Sequence, residues 1–421
     1  MKFKKLQIML FLFSTFLHLN IYASTYFVPS QYNTIQSAID ASSNGDTIFV
    51  SPGIYYEGIN FQGKYILVKS TDGPEVTRID APALYAVTFD SGEDTHSILW
   101  GFSIGPEDKN THSNWNGILC SSSSPTIVSN IIERFKRAIM VVKGSPIINR
   151  NIIREGIWFD NTSGIFIADT CSPVIANNLI FGYYQGIRIS GSAPTIVFNT
   201  LDHNKYGIFG ADSCIMKNNI ITNGSYGILA VSSPRVVLSH NNVWNNMIQS
   251  IDLNYQNCSP GEGDISSDPK FLDNSLLELQ TNSPCIDAGI DVEVYEDFHG
   301  NQRPSGHGFD IGAIEYISPS QVKLEQIIPY EINLSQNYPN PFNQSTSIEF
   351  TLNTNSHVFL VILDIQGRNV ITLVDEIMDS RTHIVTWDGT NNHRNIVASG
   401  IYFCFLQASN QTKIIKIISL R

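Results

Sequence analysis

Between Gly117 and Val231 one short phrase returns about every 21 residues. A small residue and Ile open it, at Gly117-Ile118, Ala138-Ile139, Gly164-Ile165, Gly186-Ile187, Gly207-Ile208 and Gly227-Ile228. Pro follows at Pro125, Pro146, Pro173 and Pro194, and again at Pro234 after one coil without it. Asn comes next, at Asn130, Asn151, Asn178 and Asn199, with Asn219 at the matching place in the coil that lacks Pro. So short a period is too small for a pair of helices and fits a coil of three short strands. The longer gap between Pro146 and Pro173 reads as one coil carrying an inserted loop, Trp158 to Ser163.

Within a coil the apolar residues alternate, as a pleated strand requires. Ile165 and Ile167 point one way, and Phe166 and Ala168 the other. Coils stacked at the strand spacing of about 4.8 Å place each Ile on the next and build an apolar ladder inside. A fixed Asn suits a tight turn, since Asn tolerates the left-handed region and can bond to copies above and below. The Gly-Ile strands and the Pro-x-Ile-x-x-Asn phrase resemble a right-handed parallel β-helix of the pectate-lyase-like superfamily. The handedness comes from that resemblance, not from the spacing. The fold class expected is therefore all-β, with about nine coils between Ile104 and Tyr255 and a rod about 40 Å long.

Ahead of the repeat, residues 1–23 have the form of a secretory signal: Lys2, Lys4 and Lys5, an apolar run from Leu6 to Leu19, and small residues at Ala23 and Ser24 where cleavage would fall. The apolar run is shorter than the roughly 20 residues that span a bilayer, and no later stretch is long enough, so the mature chain is expected to lack a transmembrane segment. Asn33 and Gln36 read as a capping box, Ile35, Ala38 and Ile39 as one face of a short helix, and Gly45 as its stop. This segment resembles the helix that plugs the open end of many β-helices. The rod with its cap spans 24–316, and its last part, 258–316, resembles a closing segment of bacterial surface proteins. Residues 317–329 read as a linker. From 330 to 421 alternating runs predict a small Ig-like β-sandwich. Tyr338 to Asn343, Trp387-Asp388-Gly389 and Ser399 to Tyr402 resemble the C-terminal sorting domain of type IX secretion cargo. That resemblance implies passage through the periplasm to the type IX translocon, and a final place at the cell surface or outside the cell.

A net charge of −12 argues against a nucleic-acid partner, which needs a basic face. Export permits disulfides, and of six cysteines the pair expected is Cys258 with Cys285. No Cys-x-x-Cys spacing suggests a metal. The acids of the closing segment are too scattered to form a calcium loop and are expected to hold turn amides, so no cofactor is expected.

In stacked coils a side chain repeated at one position becomes a column. After each Ile the outward column holds Leu119, Met140, Phe166, Arg188, Phe209 and Leu229; two positions on it holds Ser121, Val142, Ala168, Ser190, Ala211 and Val231. Neither column carries the paired acids of a calcium-dependent lyase. Arg188 between Phe166 and Phe209 is the candidate ligand site, able to stack on a sugar and hold its carboxylate. It also reads as a surface arginine covering apolar neighbours. Asp160 in the inserted loop, with Arg188, Asp202 and His203, are the candidate catalytic residues, although solvated turns place the same residue types there. Asn199-Thr200-Leu201-Asp202 and Gly306-His307-Gly308 resemble fragments of galacturonan-hydrolase motifs. Leu201 interrupts the first, however, and no paired aspartates follow, whereas hydrolysis needs two carboxylates close together. Two readings stay open: a surface rod that binds an extracellular polysaccharide or other partner, and a polysaccharide lyase or glycoside hydrolase.

Overall fold

The structure is a computed structural model and describes residues 23–81, 84–106, 116–156, 160–231, 235–272, 276–318, 332–352, 356–365, 368–408 and 411–420. The signal-like run before Ala23, Trp158, Pro234, most of the linker and the turn at Gln366-Gly367 lie outside these residues.

The repeat winds into three parallel sheets of ten, nine and nine strands. The Gly-Ile phrase forms one sheet, in strands such as Asn116–Ser121, Arg137–Val142, Ser163–Ala168, Gln185–Ser190, Tyr206–Ala211 and Tyr226–Ala230. The residues after Pro form a second sheet, from Thr25–Val28 to Val237–Ser239, and those after Asn a third, from Gly53–Tyr55 to Asn242–Trp244. Ile118, Ile139, Ile165, Ile187, Ile208 and Ile228 pair in register and are fully buried. The alternation read from the sequence thus holds. The nine strands of the Gly-Ile sheet include Ile59–Asn60 and Tyr85–Phe89, so two of the nine coils precede Ile104 rather than follow it.

Coils lie so close that the residue before each Ile must be small. A Cβ on Gly186 would meet the carbonyl oxygen of Gly207 at 2.7 Å. The Asn column forms a hydrogen-bonded ladder inside the turn: the Nδ2 of Asn151 donates to Asn178 Oδ1 at 3.0 Å, that of Asn178 to Asn199 at 2.9 Å, and the series runs from Asn130 to Asn241. Asp264 terminates it by accepting from Asn241. The left-handed residue is not the ladder Asn but its predecessor: Arg150, Asn177, Phe198 and Asn218 have φ between 53° and 57°. That geometry turns the predecessor outward while the Asn points in.

The ends are closed as physical chemistry demands of a sheet with free edges. The plug helix is Ile35–Ala41, one residue later than the sequence suggests. Thr34 is the N-cap, because its backbone is extended and its hydroxyl accepts from the Ser37 amide. Glu57 takes the amides of Ile35 and Gln36. Ser42, not Gly45, caps the C-terminal end, and Gly45 with φ +92° serves the turn into the next strand. The side chain of Gln36 pairs with the backbone of Asn60 in both directions, completing an otherwise open edge.

Residues 258–316 do more than close the far end. Glu262 and Ile265 bridge onto the last coil, after which the segment runs back along the outside of the Asn turns. The outward predecessors grip it: Asn218 exchanges two hydrogen bonds with Ile290, Asn177 donates to the Glu296 carbonyl, and Phe198 stacks on Phe309. Cys258 packs against the rod core while Cys285 sits in a separate cluster with Ile220, Leu279 and Ile311. The expected Cys258–Cys285 disulfide is therefore not formed. Both are free thiols, and Cys285 Sγ accepts from Asn242. Cys120 faces the core from within a strand.

The C-terminal unit is antiparallel. Asn333–Leu334, Thr346–Thr351 and Thr382–Trp387 form one sheet, and Asn369–Met378, Ser356–Leu363, Gly400–Ala408 and Gln411–Ser419 the other. Fully buried Trp387 packs on Phe342 and Tyr402 between them. The strand Asn369–Met378, absent from the sequence reading, has no clean alternation because it is mostly half-exposed.

Replacing Asn178 with Ala would leave the buried Asn151 amide without its acceptor and strip the Nδ2 donor from the carbonyls of Ile148 and Ala176 and from Asn199 Oδ1, although Ala176 keeps the Arg150 amide and Asn199 the backbone amide of residue 178. At about 1–3 kcal/mol for a buried polar group left unpaired, Asn178→Ala should lower unfolding free energy by about 1–3 kcal/mol. Ser190→Ala on the exposed face should cost less than about 0.5 kcal/mol. Urea denaturation followed by circular dichroism measures both, and equal midpoints would remove the ladder from its structural role.

Candidate functional site on the Gly-Ile sheet

The outward column of the Gly-Ile sheet is in register as read: Leu119, Met140, Phe166, Arg188, Phe209 and Leu229 lie side by side. The second column breaks at its upper end. Gly210, with φ +81°, forms a bulge that turns Ala211 into the core opposite Ala230, so Ala211 is not on the surface.

Arg188 stands between Phe166 and Phe209, its guanidinium 5.5 and 5.7 Å from the two ring centres. Asn161, from the inserted loop, accepts from its Nη1 at 2.8 Å. Sequence reasoning missed Arg137, whose guanidinium lies 4.4 Å from the Phe166 ring. Two arginines thus flank one phenylalanine. Burial, then the charge of Arg188, pulls the Arg137 pKa below the usual arginine range. Its Nε is buried without a hydrogen-bond partner, and its Nη1 reaches only the Met140 sulfur at 3.8 Å. Neither arginine is ion-paired among the described residues, whereas Arg78, Arg134, Arg150, Arg154 and Arg303 all hold carboxylates.

An aromatic strip continues this surface. Tyr206 stacks flat on Tyr226 at 4.7 Å, meets Phe209 edge-on at 5.2 Å and lies 5.5 Å from Tyr184. Lys205 donates to the Tyr184 hydroxyl at 3.0 Å, and that bond first, then its phenolic neighbours and Asp160, raise its pKa. The signal that finds these residues is the position just before each Gly-Ile pair. It holds Asn116, Arg137, Ser163, Gln185, Tyr206 and Tyr226, which also pair in register.

The candidate catalytic residues do not converge. Asp160 belongs to the inserted loop and acts on Lys205 only through its charge. Asp202 ends a strand of the Asn sheet; its Oδ2 lies 2.6 Å from His203 Nδ1 and its Oδ1 accepts from Asn223 at 2.8 Å. Asp202 and His203 make no bond to Arg188 among the described residues. No group of three or more His, Cys, Asp and Glu is placed to hold a metal ion among those residues.

The closing segment holds a second ionic group. Arg303 is buried over Phe198 at 4.1 Å, bonded to Glu315 and to the carbonyl of Gly312. Asp297 accepts from the amides of Asn301 and Glu315, and Asp310 from those of Asp287 and Tyr316. Asp287 in turn accepts from His307 and Gly308, which places the Gly-His-Gly motif in a turn. Burial, then the charge of Glu315, pushes the Asp310 carboxyl up to about 7. A carboxyl whose folded pKa lies above its unfolded value stabilises most fully below the unfolded value, and that contribution is lost as pH rises through about 7. Hydrogen exchange, corrected for intrinsic rate, should therefore show stronger amide protection over residues 285–316 at pH 5.5 than at pH 8.5. Asp310→Asn should flatten the difference, and protection that rises with pH would contradict it.

Residues 107–243 match the family model described as right handed beta helix region, and residues 336–420 match the secretion system C-terminal sorting domain. No curated protein matches the chain. Among solved structures, pectate lyase Pel9A is 17% identical, covering 70% of this chain and 97% of that one with a TM-score of 0.38. A mutant of the PL6 family alginate lyase AlyGC is 12% identical, covering 76% of this chain and 61% of that one, with a TM-score of 0.27. Superpositions this loose extend to no shared site. No helix among the described residues is long and apolar enough to cross a membrane. The chain is a right-handed parallel β-helix that carries a type IX sorting tail and is thereby directed to the cell surface or the medium.

Proposed function

We propose that the exported rod binds an acidic polysaccharide along its Gly-Ile sheet. One observation carries this reading: Arg137 and Arg188 stand over Phe166 without a carboxylate partner among the described residues, in a chain where acids outnumber bases 38 to 26. Two cations held together cost repulsion energy that an anionic ligand would remove. They sit two coils apart, about 10 Å by strand spacing, which suits successive acidic units of a chain lying along the rod. The rings of Phe166, Phe209, Tyr206 and Tyr226 offer stacking faces for the sugars between them. A catalytic reading has one observation in its favour, the Asp202 carboxylate orienting the His203 ring as a base would need.

Isothermal titration of the secreted protein with polygalacturonate, alginate and a neutral glucan tests the proposal. Binding is expected for the acidic chains only and should weaken with added salt. Each charge-assisted bond contributes about 1.5–3 kcal/mol, so Arg137→Ala with Arg188→Ala should weaken binding by at least about tenfold. Binding that ignores both substitutions would refute the site. Unsaturated or reducing products that vanish in His203→Ala would make the protein an enzyme instead.

We also propose that the signal is removed between Ala23 and Ser24. The Ser24 nitrogen lies 2.6 Å from Oδ1 of Asp46, a buried carboxylate, so cleavage there would place the new terminal ammonium in an ion pair. Mass spectrometry of the secreted protein should show Ser24 as its first residue. A mature chain beginning elsewhere rejects this assignment.

A further inference from the structure

The outer face of the sheet that follows Pro carries its own column: Phe27, Phe49, Lys69, Trp100 and Val128 lie in successive coils. The tail covers its lower part. Phe405 of the four-stranded sheet lies 5.2 Å from Phe49 and 6.4 Å from Phe27, with Val361 and Leu363 beside it. Above this contact the rod and the tail leave a cavity of about 360 Å³, lined by Lys69, Thr71, Asp72 and Trp100 on one wall and by Gln411 and Thr412 on the other.

Lys69 is the unusual member. It is only 7% exposed, and its ammonium rests 4.2 Å from the centre of the Trp100 ring. It makes no hydrogen bond and no ion pair among the described residues. Its Nζ is not sealed from solvent, but an ammonium on a side chain this buried keeps its charge at a cost that an acceptor in the cavity would lower. Burial holds its pKa below the usual lysine range. The wall around it also holds groups that suit a polyol: the Thr412 hydroxyl, the Gln411 amide, whose Oε1 already accepts from Ile332, and the Asp72 carboxylate, which already accepts from Thr71, with Lys413 as a second lining cation. Asp72 would repel a bare anion, but a carboxylate is a good acceptor for sugar hydroxyls.

We infer that this junction is a binding site for a single acidic sugar, a hexuronate whose carboxylate meets Lys69 and whose hydroxyls meet Asp72 and the tail wall. The site exists only while the tail lies on the rod, so occupancy favours the docked arrangement. This inference is independent of the arginine face.

The test uses the full chain carrying Arg137→Ala and Arg188→Ala, which silences the polysaccharide face. D-glucuronate and D-galacturonate, with glucose as the neutral counterpart, are titrated by saturation-transfer NMR and Trp fluorescence. Saturable uronate binding is expected, with glucose weaker by about tenfold, the value of one charge-assisted bond. Lys69→Met should bring uronate to the level of glucose, and Thr412→Trp, which fills the cavity from the tail side, should abolish binding. Because Lys69 is buried, the tail-side variant keeps the test decisive if the first fails to fold. Uronate binding indifferent to both variants, equal binding of glucose, or no saturation at tens of millimolar overturns the inference. None of these outcomes bears on the arginine face, whose failure would show only in the titrations with polymer.

Discussion

Everything in the rod depends on backbone lying directly on backbone. Parallel pairing at a single register, repeated in three sheets, brings each side chain onto its counterpart one coil away. The Asn ladder holds that register from inside. Each Nδ2 donates both to the next Asn and to main-chain carbonyls of its own coil and the one before, so a slip of one residue would leave several buried polar groups unpaired. Because every coil contacts only its neighbours, the rod tolerates an insertion such as the loop before Ser163 without loss of phase on either side.

The same stacking differentiates the surface. Outward residues have no core to satisfy, so their columns are free to differ from sheet to sheet. On the Gly-Ile sheet the columns gather arginines and aromatic rings. On the sheet after Pro they gather the aromatic and aliphatic side chains that receive the tail. At the Asn turns, the left-handed predecessors point outward and hold the closing segment. One repeat thus presents different surfaces to the solvent, the tail and a closing strap.

The sequence was legible where periodicity sets structure and opaque where contact depends on folding back. Ile139, Ile165, Ile187 and Ile208 recur in phase, and their shared interior follows from strand pleating alone. Arg188 between Phe166 and Phe209 was visible for the same reason. Arg137 was not, because it occupies a different position of the repeat and reaches Phe166 across a coil boundary. Ala211 was misplaced because a single bulged Gly210 inverts the parity of the strand beyond it. Cys258 and Cys285 looked like a pair by segment, but the segment turns back after the last coil and carries them into separate clusters.

The order of residues by itself determined the coil, its inward ladder, the position of the turns and the sorting tail, since each is a local pattern repeated or a unit complete in itself. Only the tertiary structure decided where the tail and the closing segment come to rest, and so which polar groups are buried without partners. Lys69 over Trp100 is ordinary in a list of residues and becomes a candidate site only when residues more than three hundred positions later form the opposite wall. The reason is physical: backbone pairing is set by neighbours in the chain, whereas desolvation of a charge is set by whatever else arrives at the same place in space.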